Sequence, residues 1–165
     1  MTTRRHLLLN AAASAVAMTP GLFHLRATAA AASETFEVSL TDAQWRARLS
    51  PQQYAVLRQE GTERPDSSPL NKEHRAGTFA CAGCALPLFS SETKFESGTG
   101  WPSFWKPLDN AVATRKDRSY GMVRTEAHCR RCGGHLGHVF DDGPKPTGLR
   151  YCMNGLSLAF TPKAA

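Results

Sequence analysis

Apolar positions change their rhythm once along this chain. Between Thr41 and Gly61 they fit short helices, and from Gly77 on they alternate or cluster in runs too short for a helix. Thr41-Asp42-Ala43-Gln44 and Ser50-Pro51-Gln52-Gln53 both have the capping-box pattern, in which a hydroxyl and a glutamine satisfy backbone donors reciprocally. Pro51 also suits a first helical position. Two short helices are predicted, one entering through Trp45 to Leu49, the other carrying Tyr54, Val56 and Leu57 and stopping near Gly61. Pro65 then begins a polar loop. Short apolar or alternating runs follow at Gly77 to Cys81, Leu86 to Phe89, Ala111 to Thr114, Gly121 to His128, His138 to Phe140, Leu149 to Met153 and Ser157 to Phe160, separated by Gly, Pro, Asp and Ser. This spacing predicts a mainly β domain built from a small antiparallel framework.

The first 32 residues break from that pattern. Arg4-Arg5 precedes an apolar stretch running to Met18, followed by Pro20-Gly21 and an alanine-rich stretch ending at Ala32. This is the layout of a cleaved export signal, and the paired arginines resemble the twin-arginine type, whose channel passes folded proteins. The apolar core is short of the roughly 20 residues needed to span a bilayer, so membrane contact is expected only through the signal. Residues 1–32 are therefore expected to direct the protein to the periplasm, and 33–165 to form the working domain.

Composition narrows the function. The 165 residues suit one domain, with 41% hydrophobic and 21% charged residues, ordinary for a globular protein. Lys and Arg outnumber Asp and Glu by 20 to 14, but without Arg4, Arg5 and Arg26 the balance is 17 to 14, a net +3. Such a weak excess, with no basic block beyond Arg130-Arg131, argues against a nucleic-acid partner.

Cysteine spacing carries the first chemical signal. Cys81-x-x-Cys84 and Cys129-x-x-Cys132 are two knuckles that together offer four sulfurs, the donor set of one closed structural zinc site. An oxidising compartment favours disulfides instead. A third arrangement uses Cys129, Cys132, His135 and His138 as a local metal set and leaves Cys81 and Cys84 as a redox pair. Cys152 is left over. On an extended strand Arg150, Cys152 and Asn154 share a face, so a guanidinium stands near the thiol and favours its thiolate. His135 and His138 offer an acid or base near neutral pH. Trp101, Phe104, Trp105 and Phe140 either pack in the core or wall a pocket suited to sulfur and methyl groups, with core packing expected for at least two of the four.

Together these motifs resemble the methionine-R-sulfoxide reductase B family. The resemblance runs from about Leu49 to Phe160 through Gly61-Thr62-Glu63-Arg64-Pro65, both knuckles, Lys94 to Gly98, Gly100-Trp101-Pro102-Ser103-Phe104, His135 to Pro144 and Arg150-Tyr151-Cys152-Met153-Asn154. It implies a compact domain of two antiparallel β-sheets with short N-terminal helices, and one structural zinc on Cys81, Cys84, Cys129 and Cys132. It further implies a reductase specific for the R epimer of methionine sulfoxide, in proteins or free; separately, a monomer is expected. Cys152 matches the nucleophile; His135, His138 and Asn154 match polar active-site residues; Trp101 matches the residue that receives the substrate methyl group. Arg150 matches the strand arginine near the thiolate, and Phe140 is expected beside the substrate. The implied chemistry is attack of the Cys152 thiolate on the sulfoxide sulfur while a histidine, expected to be His138, protonates the oxygen, leaving a sulfenic acid.

Three positions depart from the family pattern. Thr99 stands where many members have a second cysteine, so an external thiol or thioredoxin-like partner is expected to reduce the sulfenic acid. Gly155-Leu156 replaces a more usual Ser-Ala, and Asp66 replaces a phenylalanine in a loop expected to be remote from the chemistry. The competing readings are a thiol-disulfide oxidoreductase working through Cys81 and Cys84, and a zinc-ribbon binding module.

Overall fold

The computed structural model describes residues 35–164, and the expected export signal at 1–32 lies outside them. Two helices, α1 (Asp42–Arg48) and α2 (Pro51–Gln59), begin at the two capping boxes, with both reciprocal hydrogen bonds formed in each. α2 stops near Gly61, as expected. Glu60 takes the left-handed conformation, and the Gly61 N–H bonds back to the Ala55 carbonyl at 2.9 Å. A β-carbon on Gly61 would press on that same carbonyl, so glycine is needed one residue after the left-handed position.

Nine strands follow among the described residues: β1 (Gly77–Cys81), β2 (Pro87–Ser90), β3 (Lys94–Phe95), β4 (Ser103–Phe104), β5 (Val112–Asp117), β6 (Arg124–Cys129), β7 (His135–Phe140), β8 (Arg150–Met153) and β9 (Leu158–Pro162). They form two antiparallel sheets, a three-stranded one in the order β2-β1-β9 and a six-stranded one in the order β3-β4-β8-β7-β6-β5. The mainly β class is as the sequence pattern implies, and the two-sheet architecture is as the family resemblance implies. No helix among the described residues is long and apolar enough to cross a membrane.

Side-chain alternation gives the six-stranded sheet two chemically different faces. Phe104 of β4 and its cross-strand neighbour Tyr151 of β8 face the core, where Phe104 stacks on Phe89 at 4.3 Å between ring centres and meets Phe79 edge-on at 5.0 Å. Phe79, Phe89, Phe104, Leu88, Leu136 and Met153 are fully buried there, a cluster that joins the sheets through apolar contact. The residues one step away on each strand face the other side. Register sets Ser103, Cys152, His138, Glu126 and Arg115 beside one another on β4, β8, β7, β6 and β5.

Candidate active site and metal centre

One irregularity decides how the two histidines are presented. In an unbroken strand, residues three apart point to opposite faces. Between β6 and β7, Ala127 pairs with Gly137 but His128 pairs with His135, so Leu136 is an extra residue and the ladder bulges there. The bulge brings the rings of His135 and His138 edge-on, 5.4 Å apart. Gly137 lets β8 lie close: its φ is +157°, and a β-carbon would collide with the Cys152 carbonyl oxygen.

Each histidine is held by a carboxylate of the same sheet, His135 by Glu126 on the adjacent β6 and His138 by Asp117 on β5, one strand further on. Nε2 of His138 lies 2.8 Å from Oδ2 of Asp117, which also accepts from Arg124 Nη2 at 2.7 Å. Burial pushes the His138 pKa below the ordinary histidine value, with Asp117 opposing the shift. Asp117 itself is held well below the carboxylate range, first by the Ser119 backbone N–H and then by the Ser119 hydroxyl and His138. Behind them, His135 Nδ1 sits 2.7 Å from Oε1 of the buried Glu126. Burial works against the Glu126 carboxylate, but hydrogen bonds from His135 and Arg115 outweigh it and keep its pKa low.

Cys152, His138, Trp101, Phe140 and Asn154 line a single cavity of about 140 Å³, with Thr62, Arg124 and Gly137 completing the wall. Its volume is four to five times the roughly 30 Å³ that one water occupies in the liquid, room for a methyl-sulfinyl group. Arg150 stands beside this cavity. Its guanidinium forks onto both carboxylate oxygens of Asp142 at 2.8 Å and lies 4.3 Å from the Phe140 ring centre. Asp142 raises the Arg150 pKa, and the charge of a Cys152 thiolate adds to it. Phe104 belongs to the core, and Trp105 is outside the cavity lining.

Glu63 is the residue whose position sequence reasoning left without a role. Its backbone N–H donates to Asn154 Oδ1 at 2.9 Å, and its carbonyl accepts from Trp101 Nε1 at 3.2 Å. Its buried carboxylate receives the Gly155 and Leu156 N–H groups at 2.6 and 2.9 Å. Gly155 and Leu156 thus lie in a tight helical turn capping β8. The loop carrying Asp66 is closer to the site than expected. The Asp66 N–H bonds the Gly100 carbonyl at 2.8 Å, directly before Trp101, because Gly100 (φ +90°) leaves no room for a side chain against Pro65 and Asp66.

The second centre is formed by the two knuckles. Sγ atoms of Cys81, Cys84, Cys129 and Cys132 all lie within 4.8 Å of one another, with Cys81 to Cys132 at 3.8 Å and Cys84 to Cys129 at 3.5 Å. A tetrahedral ion at about 2.3 Å from each sulfur sets S···S edges of about 3.8 Å, so the four sulfurs fit a metal ion. All four are buried and none is in a disulfide. Mutual hydrogen bonding, led by Cys129, pulls the Cys84 thiol down and pushes the Cys81 thiol up. Tight turns close both knuckles, with Ala85 and Gly133 in the left-handed region and their N–H groups on the Cys81 and Cys129 carbonyls, each at 2.8 Å. One knuckle closes the β1–β2 hairpin and the other the β6–β7 hairpin, so the cluster ties the two sheets together. His135 and His138 are turned to Glu126 and Asp117, and the local Cys129–His138 metal set is not assembled.

Comparison with known proteins agrees with this arrangement. Residues 49–162 match the SelR domain. The peptide methionine sulfoxide reductase MsrB of Thiobacillus denitrificans is 60% identical over 124 residues, covering 74% of this chain and 94% of that protein. The MsrB of Leptospira interrogans is 56% identical over 126 residues, covering 76% and 96%. That of Pseudomonas putida strain W619 is 55% identical over 128 residues, covering 77% and 96%. With two sheets, a four-cysteine cluster and a cysteine–histidine–tryptophan cavity joined to a match over most of its length, the chain belongs to the MsrB family of peptide methionine sulfoxide reductases.

Proposed function

We propose that this protein is a peptide-methionine (R)-S-oxide reductase with Cys152 as its nucleophile. The observation that carries the reading is the convergence of Cys152, His138 and Trp101 on one cavity. The Cys152 thiolate attacks the sulfoxide sulfur, and the protonated His138 gives a proton to the oxygen. The S–O bond of the substrate breaks, the oxygen ends on Cys152 as a sulfenic acid, and methionine leaves reduced by two electrons. Since Nε2 of His138 is engaged by Asp117, the proton is delivered from Nδ1 of the imidazolium. Trp101 and Phe140 offer apolar walls to the methyl group, and Asn154, fixed between Glu63 N and the Leu136 carbonyl, shapes the polar side.

Turnover requires reduction of the sulfenic acid. Thr99 brings a hydroxyl, not a thiol, to 3.8 Å from Cys152 Sγ, and the other four cysteines are clustered together. This supports an external thiol or thioredoxin-like protein as the reductant, with two thiols of the donor becoming a disulfide and the oxygen leaving as water. The cluster suits zinc through its all-sulfur donor set, and such an ion supplies folding free energy when bound. Arg4-Arg5 ahead of an apolar stretch supports twin-arginine export to the periplasm.

The experiment is reduction of separated R and S epimers of a methionine sulfoxide peptide with dithiothreitol, comparing the protein with Cys152→Ser. Turnover of the R epimer alone, abolished by the substitution, is the expected result. Turnover that survives Cys152→Ser overturns the assignment of the nucleophile.

A further inference from the structure

A line of hydroxyls runs from the sulfur of Cys152 into the sheet. Thr99 Oγ1 lies 3.8 Å from Cys152 Sγ, Ser97 Oγ lies 2.8 Å from Thr99 Oγ1, and Ser103 Oγ lies 2.7 Å from Ser97 Oγ. The line ends at the Trp101 carbonyl, 3.2 Å from Ser103 Oγ. Ser103 is fully buried and is itself the cross-strand partner of Cys152, so the line closes a loop from β8 through the glycine segment and back to β4.

Each hydroxyl has one proton to donate, so the direction of the line is open while the sulfur can both donate and accept. A Cys152 thiol can donate to Thr99, with Thr99 then donating to Ser97, Ser97 to Ser103, and Ser103 to the Trp101 carbonyl. A thiolate can only accept. The line then turns round, with Ser103 donating to Ser97, Ser97 to Thr99, and Thr99 to the sulfur. We propose that Thr99, Ser97 and Ser103 form a reversible hydrogen-bond relay that stabilises the Cys152 thiolate, with Thr99 as the group touching the reacting sulfur. No O–H bond breaks in this change; the hydroxyls rotate, and the thiol proton leaves to solvent through the partly exposed side of Cys152.

The relay works beside other groups that face the sulfur. Arg150 from the same strand acts on it by charge, His138 is its cross-strand neighbour on β7, and Arg124 of β6 lines the same cavity. Arg150 and Arg124 are already engaged by Asp142 and Asp117. The hydroxyl line adds a donor with no charge of its own, and the Thr99 hydrogen bond to the sulfur strengthens when its acceptor becomes anionic.

The inference rests on the reading of Cys152 as a nucleophile, and its test needs no sulfoxide. The rate of Cys152 alkylation by iodoacetamide, followed across pH by mass spectrometry, reports thiolate formation in the full chain. In Thr99→Val, which keeps the shape and loses the hydroxyl, the midpoint is expected to move to higher pH by about one unit, with about tenfold slower alkylation at neutral pH. Thr99→Ser is expected to keep the original midpoint, and Ser97→Ala to move it in the same direction by less. An unmoved midpoint in Thr99→Val overturns the proposal. So does an equal shift in Thr99→Ser, which would assign the effect to packing of the threonine methyl group, and an unmoved midpoint in Ser97→Ala overturns the relay.

Discussion

Nε2 of His138 lies 2.8 Å from the Asp117 carboxylate, at the end of β5 and on the far side of β6 from the histidine's own strand. Burial lowers the pKa of His138 and Asp117 partly restores it, so Asp117 favours the imidazolium against the larger effect of burial. In Asp117→Asn the opposing charge is gone and the pKa falls further. The acid form is then lost at lower pH, and the alkaline limb of the kcat/KM profile should move to lower pH, with several-fold slower turnover at neutral pH. A pH–rate profile on a methionine-R-sulfoxide peptide checks this; a limb that stays in place would remove Asp117 from the proton-delivery step.

Glu63 ties three parts of the site to one another through both its backbone and its carboxylate. Glu63→Gln keeps the shape but turns an NH₂ group toward one of two backbone N–H donors. An unpaired buried donor costs about 1–3 kcal/mol. We expect a lower urea midpoint at unchanged m-value, together with a raised KM, because Asn154 and Trp101 both hang on residue 63. Loss of stability with unchanged KM would make Glu63 a fold residue only.

What could be read from the sequence follows the range of the interactions concerned. The capping boxes at Thr41 and Ser50 are closed within four residues, and both helices begin where the sequence says. The knuckle spacing is equally local, and the four sulfurs do meet. The two-residue strands β3 and β4 left no period to detect, since their identity lies only in their pairing. The run His135-Leu136-Gly137-His138 reads as a strand beginning at His138, because the bulge at Leu136 depends on the register with β6. Asp117 and Glu126 were overlooked for the same reason: their histidines lie 21 and 9 residues away along the chain. The alternation of Arg124, Thr125 and Glu126 on β6 was the one local hint that two charged residues share the site's face.

The four-cysteine cluster makes a separate prediction about stability. It links hairpins from two different sheets, and metal binding in small zinc modules is folding free energy on the order of 10 kcal/mol. Cys81→Ser should therefore lose the metal and most of the thermal stability. Metal content by elemental mass spectrometry, measured beside the melting temperature, checks both at once. Retained metal with an unchanged melting temperature would mean that the cluster does not hold the sheets together.

Gly137 separates the demands of the strand from those of the chemistry. Its missing side chain faces the Cys152 carbonyl oxygen and the Met153 Cα, the two β8 residues at the nucleophile. A methyl group at 137 must push β8 away from β7, and overpacking of this kind costs about 1–3 kcal/mol. The displaced element carries Cys152, while His138 remains on β7, so the sulfur and the acid move apart. A misplacement on the order of 1 Å lowers rates about a hundredfold. Gly137→Ala should thus lose far more in kcat than its fall in melting temperature implies, with KM for the sulfoxide peptide changed less. Thermal melts and steady-state kinetics on the same preparation test this. A variant that loses stability yet keeps kcat would show that the close approach of β7 and β8 serves packing alone, and that the positions of Cys152 and His138 are fixed by other contacts.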